Sequence, residues 1–285
     1  PYESVTVLNA VGNAPNAAVA AARLGLATAI VTNLGDDQPC KDCLARLGEE
    51  NIAADFIRVH QGIKTNYHYV LWHEVDRTIL IKHEEYPVQL PDVGNPKWVY
   101  FSSVGRAGDK LHDLFADYVE SHPDVKYTFQ PGIFEINQGT ERLARMYQHA
   151  EVVVCNLEES RRMLETEETD VKKLLAGMHT LGPKIVAITE GPKGAYASDG
   201  AHTWFMPPYP DPKPPVERTG AGDAFASTFS AALAQGESIE TALLWAPVNS
   251  MSVVQQVGAQ AGLLSQAEIE TWLAKAPADY QPQLL

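Results

Sequence analysis

Short apolar runs alternate with amphipathic stretches along most of the chain. Residues 27–32, 98–102, 126–129, 151–155 and 184–189 read as buried strands. Helices are predicted between most of them, over 15–24, 40–47, 110–120, 140–149 and 158–180. Pro15 suits a first helical turn and Gly25 a C-terminal stop. Strand and helix repeated in this way predict an α/β fold, with a parallel sheet covered on both faces.

One segment breaks the alternation. Three strand-like pieces, 55–59, 66–72 and 78–83, succeed one another with no helix between them, the last two flanking "HEVDR" as a hairpin connection. The pattern predicts a small antiparallel insertion over 55–86: a lid over a site, a dimer surface, or an edge extension of the main sheet. The C-terminal third reads as helical over 223–235, 238–256 and 266–274, with Ser265-Gln-Ala-Glu268 as a capping box. The proline-rich 206–215 reads as a stiff, extended approach to the glycine segment at 220–222. With no internal repeat and no linker, residues 1–285 read as one domain.

Charge and cysteines narrow the partners. A net charge of −14 argues against general nucleic-acid binding while leaving room for a local phosphate pocket. No apolar run approaches the roughly 20 residues of a spanning helix. There is no signal-peptide pattern, and three cysteines suit a reducing, cytoplasmic setting. Cys40-Lys-Asp-Cys43 lacks a second pair to complete a zinc site, so the two read as helical thiols. The chain opens on Pro1, and its natural start is expected upstream.

The candidate chemistry lies in Gly220-Ala221-Gly222-Asp223, in front of a helix. One reading is a plain loop and a helix capped by Thr219 or Asp223. A dinucleotide fingerprint fails, because Phe225 fills its third small position and no strand precedes it. The third reading is an anion hole with an attached base. Helix-tip amides lack intrahelical partners, small residues let an oxyanion approach them, and a first-turn carboxylate can take a proton from a hydroxyl. Phosphoryl transfer needs this combination.

"ERTGAGDAF" resembles the C-terminal signature of the ribokinase/PfkB carbohydrate-kinase family. "GNAPNAAVAAARLG" is similar to the family's N-terminal glycine–asparagine segment, "CNLEES" to its N-x-x-E motif, "TEGPKGAY" to its nucleotide loop and "VGAQAG" to its adenine-side segment. The resemblance implies a ribokinase-like three-layer α/β/α fold with a mostly parallel sheet and a small β lid. It also implies ATP and Mg2+, and a hydroxymethyl acceptor. On that reading Asp223 is the general base, and the backbone of Gly220, Ala221 and Gly222 stabilises the transferred charge. Asn156 and Glu159 arrange magnesium; Thr189, Gly191, Lys193, Gly194 and Gly258 contact the nucleotide; Gly12, Asn13 and Asn16 bind substrate hydroxyls.

The residues alone leave blander roles open. Asn156 can cap a helix with Glu159 as a first-turn charge, 189–194 can be a turn with Lys193 solvated, and Asn13 can cap the helix before Pro15. His68, His73 and His83 read as surface or packing residues. Arg77 and Lys82 are exposed charges or contacts to a polyhydroxyl or anionic substrate. The family's first strand, with a substrate-gripping aspartate, is absent from this chain. Glu217 and Arg218 replace an aspartate and a small hydroxyl residue near a segment that binds potassium in several members, so a monovalent cation stays open. The reading is a kinase acting on a primary hydroxyl of a small sugar. A nucleoside kinase using Tyr67, Tyr69 and Trp72 is the closest rival, and a non-catalytic sugar or nucleotide binder is a third. The lid is a candidate homodimer surface.

Overall fold

The computed structural model describes residues 5–73, 76–105 and 108–285, without the side chains of 72–77. The chain enters through α1 (Asn13–Arg23), β1 (Thr32–Gly35), α2 (Gln38–Glu49) and β2 (Ile57–His60). A hairpin comes next, β3 (Tyr67–His73) and β4 (Asp76–Lys82). Its connection at 74–75, the heart of "HEVDR", lies outside the described residues, as do the side chains of Trp72, His73 and Arg77.

The main body then alternates. β5 (Trp98–Ser102), α3 (Asp109–Ser121), β6 (Lys126–Gln130), α4 (Ile133–Gln138), α5 (Ala144–Gln148) and β7 (Val152–Asn156) come first. α6 (Leu157–Met163), α7 (Val171–His179), β8 (Ile185–Thr189), β9 (Ala195–Ser198) and β10 (Thr203–Met206) succeed them. Three helices, α8 (Ala221–Gln235), α9 (Ile239–Val253) and α10 (Gln266–Leu273), and a short β11 (Gln283–Leu284) end the chain.

The large sheet has the order β11-β10-β9-β8-β7-β6-β5. β5 to β8 pair in parallel, and β9, β10 and β11 are added antiparallel, so five of the seven strands point the same way. Its strands show why it is buried on both faces. Val152, Val154 and Ala187 pack with Phe225, Phe229 and Leu243 of α8 and α9. Their neighbours Val153, Cys155, Val186 and Ile188 pack with Phe115, Leu174 and Met178 of α3 and α7. Successive side chains leave a strand on opposite sides, so a run apolar at every position needs a helix layer on each.

Three expectations change. The 27–32 run makes only a bridge, Ala29 to Ala53, before strand geometry begins at Thr32. The 55–59 piece is no part of an antiparallel lid: β2 pairs in parallel with β1 in a separate two-stranded sheet. A parallel partner needs a long crossover, and α2 supplies it. The antiparallel insertion is therefore the β3–β4 hairpin alone. Finally, the helix predicted over 158–180 is two. Glu165 turns left-handed at φ +50, and Asp170 starts the second by accepting Lys172 N–H. Among the described residues no helix is long and apolar enough to cross a membrane.

Candidate active site

Ser102, Gln130, Asn156 and Thr189 are the last residues of the four adjacent parallel strands. Ser102 is in register with Gln130, and Asn156 with Thr189, while Thr128 and Phe129 pair with Val152 and Val153, so the polar groups form a stepped row at the carboxyl edge of the sheet, the second pair two residues beyond the first. Ligands of open α/β sheets bind outside this edge. The first turn of α8 meets the row at Asp223, whose Oδ1 faces Gln130 Nε2 at 3.5 Å.

Asp223 also accepts a hydrogen bond from Asn16 Nδ2 on Oδ2, at 2.9 Å. Gly12 caps α1 at φ +127, and its carbonyl takes Asn16 N–H at 2.8 Å; this first turn carries the buried Asn16 to the acid. Asn13 is the first residue of α1, so the cap is the glycine before it. Burial pushes the Asp223 carboxyl above the ordinary aspartate range, against the pull of the Asn16 and Gln130 amides.

The two glycines ahead of Asp223 are there for different reasons. Gly220 is the left-handed N-cap of α8, at φ +80, and a Cβ on it would lie 2.3 Å from Ala259 Cβ. Folding demands that glycine. A Cβ on Gly222 would meet nothing within 4 Å. No side chain caps this helix end. Neither Thr219 nor Asp223 is the cap; Thr219 Oγ1 instead donates to Glu217 Oε2 at 3.0 Å. Ala221 N–H turns back to the Arg218 carbonyl at 3.4 Å, and the helix tip is open to an anion at Gly222.

Glu217, the departure from the signature, has a structural task. Its Oε1 accepts the N–H of Gly258, itself at φ +89, which ties the loop before α8 to the 258–260 segment. From that segment the buried Gln260 donates through Nε2 to Asn16 Oδ1 at 3.1 Å and to the Ala10 carbonyl at 2.6 Å.

Asn156 and Glu159 form a capping box at the start of α6. Asn156 Oδ1 accepts Glu159 N–H at 2.9 Å, and Glu159 Oε2 accepts Asn156 N–H at 2.8 Å. Burial raises the Glu159 carboxyl; the Asn156 N–H and Arg162 oppose, and the charges of Glu158 and Asp223 add to the rise. The box and a cation role are compatible, because a carboxylate has more lone pairs than one amide uses. Among the described residues no three His, Cys, Asp or Glu side chains could hold a metal ion together. The donors here suit a hard cation that keeps several of its waters and takes phosphate oxygens, as magnesium does.

Thr189 opens the turn between β8 and β9, a single 3-10 turn over Gly191–Lys193. Gly191, at φ +55, has open space around it, whereas a Cβ on Gly194 would lie 2.3 Å from the Met206 carbonyl oxygen. The second glycine therefore serves strand packing. Lys193 is exposed and pairs with Glu190 at 2.7 Å. On the hairpin, His68 and His83 approach at 3.3 Å between their Nε2 atoms, and the His83 ring lies beside Phe134 of α4. Lys82 pairs with Glu84 at 2.9 Å.

Gln130 and Tyr100, whose hydroxyl donates to Gln130 Oε1, belong to this centre without standing in any motif, while Gln260 stands in "VGAQAG" with nothing there to single it out. The one signal for Gln130 is its place: a polar residue directly after the apolar run of a parallel strand.

A sheet edge, a helix tip that no side chain caps and an amide-held acid beside it suit a phosphate-bearing ligand, and comparison with known proteins gives the family. The model of the pfkB family of carbohydrate kinases matches residues 3–266, and this chain belongs to that family. Its class is that of the carbohydrate and nucleoside kinases, which are ATP-dependent phosphotransferases. Ribokinase of Bacillus subtilis is 27% identical over 270 residues, 92% of this chain and 87% of the relative. Cytidine kinase of Thermococcus kodakarensis is 29% identical over 239 residues, 81% of each chain. The structure of Arabidopsis thaliana ribokinase complexed with ribose and ATP superposes with a TM-score of 0.82 at 23% identity, covering 96% of this chain and 92% of that one. The last likeness establishes the ribokinase-like fold.

Proposed function

We propose that this protein transfers the γ-phosphoryl group of ATP to a primary hydroxyl of a small sugar. The observation that carries the reading is a half-buried, amide-held carboxylate, Asp223, beside a helix tip whose Gly222 the fold does not require. Asp223 takes the proton of the acceptor hydroxyl. The oxygen bonds to the γ-phosphorus as the bond to the β-phosphate oxygen breaks, and ADP leaves. The N–H groups of Gly222 and Asp223 stabilise the charge on the moving group, and Ala221 N–H joins them on leaving the Arg218 carbonyl. A bound Mg2+ would neutralise phosphate charge, with Asn156 and Glu159 holding it through its waters. Thr189, Gly191, Gly194 and Gly258 would line the nucleotide, with Lys193 released from Glu190 to reach a phosphate. Gly12 and Asn13 would face the acceptor. The three cysteines are unpaired, and we place the enzyme in the reducing cytoplasm on that chemistry.

A nucleoside acceptor is the second reading. Tyr67 and Tyr69, both exposed, meet edge to face at 5.2 Å on one side of the hairpin, a surface on which a base can stack. The hairpin is apolar on both sides: Tyr69 stands opposite Leu80, Val70 opposite Ile79, and all four are exposed. One face would close over the acceptor and the other would join a second copy of the chain. An ADP-release assay across pentoses, hexoses, sugar acids and nucleosides tests the function. Turnover confined to a pentose or hexose supports the first reading, turnover confined to nucleosides replaces it, and none with any acceptor ends both.

A further inference from the structure

Asp223 is approached on its two oxygens by carboxamides from two different elements, Asn16 of α1 and Gln130 of β6. A carboxamide can present either its oxygen or its nitrogen, so each orientation needs a cause. Behind Asn16 stands Gln260, whose Nε2 occupies Asn16 Oδ1 at 3.1 Å and leaves Nδ2 for the acid. The other side has the same construction. Tyr100, one strand over on β5, donates its hydroxyl to Gln130 Oε1 and leaves Nε2 for Asp223. Turning Gln130 over would aim a carbonyl oxygen at an ionised carboxylate. Both amides are thus held donor-first by a second donor behind them, and the 3.5 Å reach of Gln130 is a contact that substrate binding can tighten.

We propose that Gln130, oriented by Tyr100, is a positioning residue that fixes the plane of the Asp223 carboxylate for its attack on the acceptor proton. The inference rests on the reading of Asp223 as base. Misplacing a reacting group by about 1 Å costs up to roughly a hundredfold in rate. The titratable groups facing Asp223 are Tyr100 from β5 and Glu159 from α6; Asn16 and Gln130 are its neutral neighbours. Tyr100 is itself held well above the ordinary phenol range, by burial first and the Asp223 charge second, so it stays a donor throughout the working range.

The test uses Tyr100→Phe, which keeps the ring, and Gln130→Glu, which keeps the length but replaces the donor by an acceptor. Both are expected to lower kcat roughly ten- to hundredfold with little change in KM. Both are expected to move the acid limb of the pH–rate profile upward, Gln130→Glu further, with circular dichroism and ATP affinity unchanged. Unaltered kcat and acid limb in both variants would overturn the proposal. A readout without turnover separates this failure from that of the base assignment. The side-chain amide NMR signals of Gln130, assigned by their loss in Gln130→Leu, should shift with pH in the parent and stay still in Asp223→Asn. Signals insensitive to pH in the parent overturn the contact itself. Signals that titrate, in a protein whose Asp223→Asn variant still turns over, show that the contact is real and the base assignment wrong, and the positioning role falls with it.

Discussion

Asn16 and Asp223, 207 residues apart in sequence, share a 2.9 Å hydrogen bond from amide to carboxylate. The bond joins the first turn of α1, entered through Gly12, to the first turn of α8, entered through Gly220. Replacing the donor by an acceptor of the same shape, Asn16→Asp, puts two carboxylates where one is held, and such a pair cannot ionise fully together. The acid limb of the pH–rate profile should move upward, with activity at pH 7 falling by about 10²-fold. A profile identical to the parent's would detach Asn16 from the base.

Gly220 and Gly222 should fail in opposite ways. Gly220→Ala forces a side chain into Ala259 and a residue into the left-handed region, so its melting temperature should fall. A Cβ at 222 meets no protein atom within 4 Å and the position is exposed, so Gly222→Val should melt near the parent while its turnover and ATP binding drop. Calorimetry beside steady-state kinetics checks the pair. Equal kinetics in Gly222→Val and the parent would count against an anion at the α8 tip.

The raised Asp223 carboxyl also sets a pH dependence of stability. Its folded pKa lies above its unfolded value near 3.9. Its contribution to stability is therefore complete below that value and is lost as pH rises through the folded pKa. Asp223→Asn has no such loss. Its melting temperature relative to the parent should be higher at pH 8 than at pH 4, the pattern of a functional group kept at a cost in stability. A difference that is flat with pH would contradict the burial of an ionised acid here.

The two faces of the β3–β4 hairpin are separable by charge. Ile79→Lys alters the Val70 face and Leu80→Lys the Tyr69 face. One substitution should reduce the mass measured by light scattering to that of a single chain, and the other should raise KM for the acceptor. A mass unaffected by either would end the proposal that the hairpin joins two copies of the chain.

The legibility of each element in the sequence depends on the kind of signal it emits. β5 to β8 lie within a residue or so of the predicted runs: β7 and β8, buried on both faces, are apolar at nearly every position, and β6 shows through the buried Tyr127, Thr128 and Phe129 at its centre. β9 and β10, "AYAS" and "TWFM", are shorter and less uniformly apolar, and periodicity does not separate them from loops. The 55–59 strand is legible but its partner is not, because pairing direction depends on α2 and β1 rather than on the strand itself. In the site, Asn16 and Asp223 stand in motifs with glycine spacing and are visible locally. Gln260 stands in "VGAQAG", where nothing local marks its amide for Asn16, and Gln130 and Tyr100 join through amide and hydroxyl groups from separate strands, an arrangement that leaves no local pattern.

The central claim is that Asp223 removes the proton from the acceptor. Single-turnover ADP formation by Asp223→Asn, with a sugar or nucleoside that the parent phosphorylates, tests it most directly. The account predicts a loss of about 10²- to 10⁴-fold in rate with ATP affinity retained, because the amide cannot accept the proton. A rate within a few-fold of the parent's, with ATP bound equally well, would contradict it.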